Sequence, residues 1–114
     1  MSATIAVFES ERDRMQAVTP IDEISNGWRE VTVEGTIEQL WDPSHPSISQ
    51  VGLLVDETGR TKLTSWKKSQ QPWIDEGERV RIYDAAVSWY NGRPSIALTS
   101  WSRVWFPERE RWWE

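Results

Sequence analysis

The dipeptide Asn91-Gly92 limits what this chain can become more than any other feature. Two adjacent residues that tolerate positive φ are what a tight hairpin needs, because mirror-image turns match the right-handed twist of the strands they join. The flanking segments alternate as strands do. "RVRIYDAAVSWY" sends Val80 and Ile82 inward and Arg79, Arg81 and Tyr83 outward, and "RPSIALTSWSRVW" is predicted as one further strand with Ile96 and Leu98 inward. A second hairpin lies upstream. "DETGR", Asp56 to Arg60, is a turn in which Gly59 is expected to supply the positive φ, joining "ISQVGLLVD" to "TKLTSWKK".

Ahead of these, "WREVTVEGTIEQLW" places Val31, Val33 and Ile37 at strand spacing, with Gly35 where a bulge or sharp bend fits. The prolines of "DPSHPS", Asp42 to Ser47, exclude regular structure and predict an exposed loop. "KKSQQPWIDEGE" leaves room for at most a turn of helix around Pro72 to Glu76. Before Trp28, Ser10 ahead of Glu11 and Asp13, and Thr19-Pro20 ahead of "IDEIS" and Gly27, predict short helices. The expectation is an all-β chain: residues 1–27 an extension with short helical segments, 28–106 a five-stranded barrel, and 107–114 an extended tail. Five strands, the first long and bent, with a break between the third and fourth, describe an oligonucleotide/oligosaccharide-binding (OB) fold. An SH3-like barrel is the alternative.

A length of 114 residues with 38% hydrophobic content suits one domain with a real core. With no cysteine and the single histidine His45, neither disulfides nor a zinc site can be built, so no metal and no cofactor is expected. No apolar run approaches the ~18 residues of a membrane span, and the N-terminus lacks a basic start followed by an apolar core. A soluble, cytoplasmic protein without membrane contact is expected. Asp56-Glu57 and Asp75-Glu76 are paired acids, but both sit in turn signals where carboxylates are solvated. No phosphate-cradling glycine loop or nucleophile elbow is present, so no catalytic residue is assigned and the chain is read as a non-enzyme.

Nine tryptophans exceed what a core of this size can bury, so several must line a surface. The charge is unevenly spread. Residues 1–59 carry three arginines against eleven carboxylates, whereas residues 60–103 carry eight basic against four acidic side chains. The formal net charge of −5 therefore hides a basic stretch centred on the third strand. Alternation there sends Lys62, Thr64 and Trp66 to one face and Thr61, Leu63 and Ser65 to the other. An indole among lysines suits a single nucleic-acid strand, since bases stack on aromatics at ~1–3 kcal/mol each while cations track the phosphates. The structural alternatives are Trp66 as a strand-end aromatic closing the barrel, Trp89 and Tyr90 as cross-strand packing, and Lys67-Lys68 as a solvated edge. Trp28, Trp73 and Trp101 are read as structural.

"VTVEGTIEQLW", "ISQVGLLVDETGRTKLTSW" and "DEGERVRIYDAAVSWYNGRPSIALTS" together resemble the single-stranded-DNA-binding domain of archaeal replication protein A, over roughly Trp28 to Val104. The resemblance implies DNA running across strands two and three, clasped between the loop after strand one and the loop joining strands four and five. It also implies stacking on Trp66 and on Trp89 or Tyr90, and phosphate contacts from Lys62 and Arg93. Trp41, at the lip of the first loop, is a third candidate platform, and Thr64 and Lys67 lie on the same path. The four-cysteine zinc motif of many of these proteins is lacking. In the tail "FPERERWWE", Trp112 and Trp113 either fold back on the barrel or dock on a partner, self-association included.

The function expected is single-stranded-DNA binding, or RNA binding, in replication or repair. A protein-interaction barrel that does not touch nucleic acid is the alternative. Three lysines against ten arginines and a carboxylate excess, taken with the archaeal host that the resemblance implies, suggest a halophilic host with high internal salt.

Overall fold

Residues 18–109 are described by the structure, a computed structural model, and within them the alternating segments pair into one sheet that closes on itself. The strands are β1 (Glu30–Trp41), β2 (Ile48–Val55), β3 (Arg60–Trp66), β4 (Arg79–Tyr90), β5 (Arg93–Leu98) and β6 (Arg103–Trp105). Their order is β1-β2-β3-β5-β4, and β4 returns to pair with β1. All neighbours are antiparallel except β3 and β5, which run parallel. This is the closed five-stranded OB barrel that the sequence pattern predicts, with β6 added alongside β4.

Aliphatic residues at every second position fill the interior. Val33, Ile37, Leu54, Val80, Ile82, Ile96 and Leu98 are all essentially sealed from solvent. Gly35 is the corner of β1, pairing with Val80 of β4 one residue before Thr36 pairs with Val55 of β2. A side chain there would run into the Val55 carbonyl, which is why the bend takes a glycine. The register shifts in β1 fall on either side of it, between Val31 and Val33 and between Ile37 and Gln39, so Gly35 bends the strand without itself being the bulge.

Each end of the barrel is plugged by a non-strand segment. At one end, the 3-10 turn Ile21–Glu23 inserts Ile21 and Ile24 into the core. Asp56 fastens it. One carboxylate oxygen accepts from the Ile21 amide (2.9 Å), the other from Thr58 N, Thr58 Oγ1 and Gly59 N (2.7, 2.7 and 3.0 Å). The core therefore begins ahead of residue 28, because the barrel mouth needs apolar cover that its own strands do not supply. At the other end Ile74 is the plug, and the buried Gln50 amide clasps its backbone, accepting from Ile74 N (2.9 Å) and donating to Ile74 O (2.7 Å).

Four local expectations are corrected. Gly59 does not take positive φ, because the Asp56 side chain organises the turn instead. No helix forms at Pro72 to Glu76. The turn of helix lies earlier, at Lys67–Ser69, and Ile74 needs an irregular backbone to reach the core. In the N-terminal segment only the three-residue 3-10 turn is seen among the described residues, and the start expected at Ser10 lies outside them. Finally, the predicted fifth strand is two strands separated by a turn at Thr99 to Ser102. The cause lies in β4, where Asp84 adopts φ +58° and bulges, so β5 pairs with Ala86 to Tyr90 and β6 with Arg81 to Tyr83.

Candidate nucleic-acid interface

The outward positions of β1, β2, β3, β5 and β4 line up in rows across the sheet. In one row Trp41 stands opposite Val51, Val51 opposite Thr64, Thr64 beside Ala97, and Ala97 opposite Ala86. The next row is Gln39, Leu53, Lys62, Ser95 and Ser88. Mostly small side chains thus floor a shallow strip on which Trp41 and Lys62 stand up. Thr64 is only 8% exposed, hemmed by its neighbours, and so belongs to the floor rather than to the projecting contacts.

Trp66 closes β3 on this same face, half-buried beside Ile48 at the start of β2. Here the first loop returns to the sheet, because Lys67 N donates to Ser47 O (2.9 Å). His45 turns inward to its own loop, with Nδ1 2.7 Å from Ser47 Oγ. Trp41 is 41% exposed, and its indole N–H donates to Gln39 Oε1 (3.1 Å), which fixes the ring on the strip. Trp41, Trp66 and Lys67 therefore share the first-loop end. Arg93 stands at the opposite end, exposed, paired across the hairpin with Tyr90. Asn91 and Gly92 have φ of +52° and +75°, the double positive φ that the sequence required of them.

Trp89 is not on the strip. It alternates with Val87 and Ala85 and, partly buried, packs against the barrel core. Trp112 and Trp113 lie outside the described residues.

Charge divides the barrel more sharply than composition foretells. Arg79 and Arg81 lie on the β1/β4 side, where Glu34 accepts from Arg79 Nη2 (2.5 Å) and Arg81 Nε (2.6 Å). Partial burial works to raise the Glu34 pKa, but the arginine hydrogen bonds outweigh it and hold the carboxylate below its usual range. The Arg81 guanidinium also lies over the Trp105 ring, 4.9 Å from its centroid. By contrast, none of Lys62, Lys67, Lys68 and Arg93 forms an ion pair among the described residues. The strip thus carries unneutralised positive charge beside two indoles. Sequence reasoning missed Glu34 as the neutraliser, since its partners are far along the chain. Trp101, expected to be structural, stands exposed on the turn between β5 and β6.

Among the described residues no group of His, Asp and Glu is arranged to hold a metal ion, and no helix is long and apolar enough to cross a membrane.

No protein-family model and no curated protein matches the chain. Solved structures do. The OB domain of MM0293 from Methanosarcina mazei is 35% identical, with 78% of this chain and 81% of that one covered and a TM-score of 0.68. The OB domain of Ta0387 from Thermoplasma acidophilum is 23% identical over 78% and 85%, with a TM-score of 0.66. A replication factor A related protein from Methanobacterium thermoautotrophicum is 19% identical over 81% and 92%, with a TM-score of 0.62.

Proposed function

The chain belongs to the OB-domain family, and from that premise we propose that it binds single-stranded DNA, stacking bases on surface tryptophans and holding phosphates with lysine and arginine. One observation carries the reading: the strip across β1, β2, β3 and β5 combines Trp41 and Trp66 with cations that lack carboxylate partners among the described residues. Stacking contributes ~1–3 kcal/mol per base and is indifferent to sequence, as protection or organisation of single strands requires. Lys62 lies mid-strip and Arg93 at the hairpin end, placed to follow a backbone between the two loops. The role read here is binding, since indoles and cations suit contact with bases and phosphates. A place in replication or repair is part of the same proposal, and a replication factor A related protein shares the fold. Trp112 and Trp113 are the proposed site of self-association or partner docking.

The acidic balance fits the same reading in a salt-rich archaeal cell. At ~1 M salt the Debye length is ~3 Å, so phosphate contacts weaken while stacking persists. The test is intrinsic tryptophan fluorescence during titration with oligo-dT from ~0.1 to ~2 M KCl. Strong quenching and a log–log salt slope of about −1 to −3 are expected. Unchanged emission together with a blank gel shift would replace this reading by a protein-interaction barrel. Binding that vanishes near ~0.5 M KCl in still-folded protein would show that charge carries the complex.

A further inference from the structure

The turn between β5 and β6 presents an aromatic that the barrel does not bury. Trp101 is 80% exposed, the highest value among the large hydrophobic side chains described as exposed. It is nevertheless held on a fixed mount. Thr99 N donates to Ser102 Oγ (3.0 Å), Trp101 N to Thr99 Oγ1 (3.2 Å), and Ser102 N to Thr99 O (3.1 Å). Ser102 Oγ reaches back to the Asp84 carbonyl in β4 (2.8 Å). Gln71 Nε2 clips the turn from outside, donating to Thr99 O (2.6 Å) and Ser102 O (2.9 Å). A side chain exposed by looseness would not need such a mount.

The mount stands where the strip ends. β3 and β5 run parallel with Ser65 beside Leu98, so the next residues, Trp66 and Thr99, emerge at the same end of the barrel. Ser69 Oγ donates to Leu98 O (3.0 Å), which draws the Lys67–Ser69 turn against the end of β5. Lys67 and Lys68 are exposed there, Arg103 follows the turn, and none of the three has an ion-pair partner among the described residues. Asp84 meets the mount through its backbone carbonyl. An apolar protein surface laid here would desolvate three unpaired cations, whereas a phosphodiester strand would neutralise them.

Resting on the single-strand reading, we propose that the nucleic acid does not leave the protein at Trp66. It continues onto the β5–β6 turn, where Trp101 stacks a further base and Lys67 and Lys68 hold the adjoining phosphates. Because the backbone of the turn is already fixed, little main-chain ordering entropy is lost on contact.

The test uses labelled oligo-dT of about five and about fourteen nucleotides, within the span of sites known for single barrels, read by fluorescence anisotropy. Trp101→Ala is expected to weaken the longer oligomer by about 5- to 100-fold and to leave the shorter within about twofold, with Trp101→Phe retaining most of the affinity. Unchanged affinity of Trp101→Ala for the longer oligomer overturns the proposal, as does an equal loss at both lengths. Failure of the parent chain to bind either oligomer would remove the single-strand reading itself, and this extension with it. Loss of a parent dimer in Trp101→Ala at unchanged oligomer affinity would make the turn a self-association surface and sink the extension alone.

Discussion

Two sides of the barrel place arginine or lysine near tryptophan, and they do opposite things. On the β1/β4/β6 side Arg81 lies over Trp105 and is paired with Glu34, at side-chain exposures of 16% and 15%. There the Arg81 guanidinium and the Trp105 ring already have partners within the protein, Glu34 and each other. On the strip, which runs from the end of β1 across β2, β3 and β5, Lys62 and Lys67 share a face with Trp41 and Trp66 and form no ion pair among the described residues. The lesson is that aromatic and basic residues mark a binding surface only where their interactions are left unmade. The first side is a structural clasp, and the second is the proposed interface.

The largest effect expected from this contrast is on binding. Trp66→Ala should weaken oligo-dT by ~1–3 kcal/mol with the barrel still folded, whereas Trp105→Ala should leave affinity where it was. Equal losses would erase the distinction between the sides. Trp89→Ala sharpens it, because Trp89 packs on the core and its removal should lower the melting temperature rather than act on DNA selectively.

A second test reverses the readout. Glu34→Ala leaves a mostly buried guanidinium without its acceptor and should cost about 1–2 kcal/mol in chemical denaturation, with oligo-dT affinity unaltered. Glu34→Gln supplies the pH dependence. A carboxylate whose folded pKa is depressed contributes stability that is complete above its unfolded pKa and is lost as pH falls through the folded value. The stability gap between parent and Glu34→Gln should therefore be widest near neutrality and close as the solution is acidified below the ordinary carboxylate range near ~4. A gap constant with pH would mean that the pair does not stabilise the fold through its charge. Asp56, whose carboxylate is held low by Thr58 and the Ile21 amide against the effect of burial, should add to the parent's acid sensitivity by the same sign.

The smallest effects belong to single cations. Lys62→Ala and Arg93→Ala should each flatten the salt slope by ~0.7 and lower affinity alike for all base compositions. A loss confined to one base would instead assign hydrogen bonds to base edges.

Most of the barrel could be read before any coordinates, because its determinants are local. Alternation at Val80 and Ile82 or Ile96 and Leu98 is a property of neighbouring residues, and Asn91-Gly92 carries its turn within two positions. What misled was also local reasoning, applied where a distant group decides. Gly59 was free to take positive φ, but the Asp56 carboxylate stabilised another turn. The segment after Asn91-Gly92 alternates as one strand, yet the bulge at Asp84 in a different strand cuts it in two. Trp89 and Tyr90 are adjacent, and pleat parity alone turns Trp89 to the core.

The amino-acid sequence by itself determined that this chain would be a small closed sheet with tryptophans to spare and a basic third strand, since periodicity, turn chemistry and composition act over a few residues. Only the tertiary structure decided which of those charges and rings remain available. Glu34 meets Arg79 and Arg81 across separations of 45 and 47 residues, and Gln71 reaches the Trp101 mount across 28 and 31. Contacts at that range exist only once the barrel has closed, because closure is what brings their strands and loops side by side.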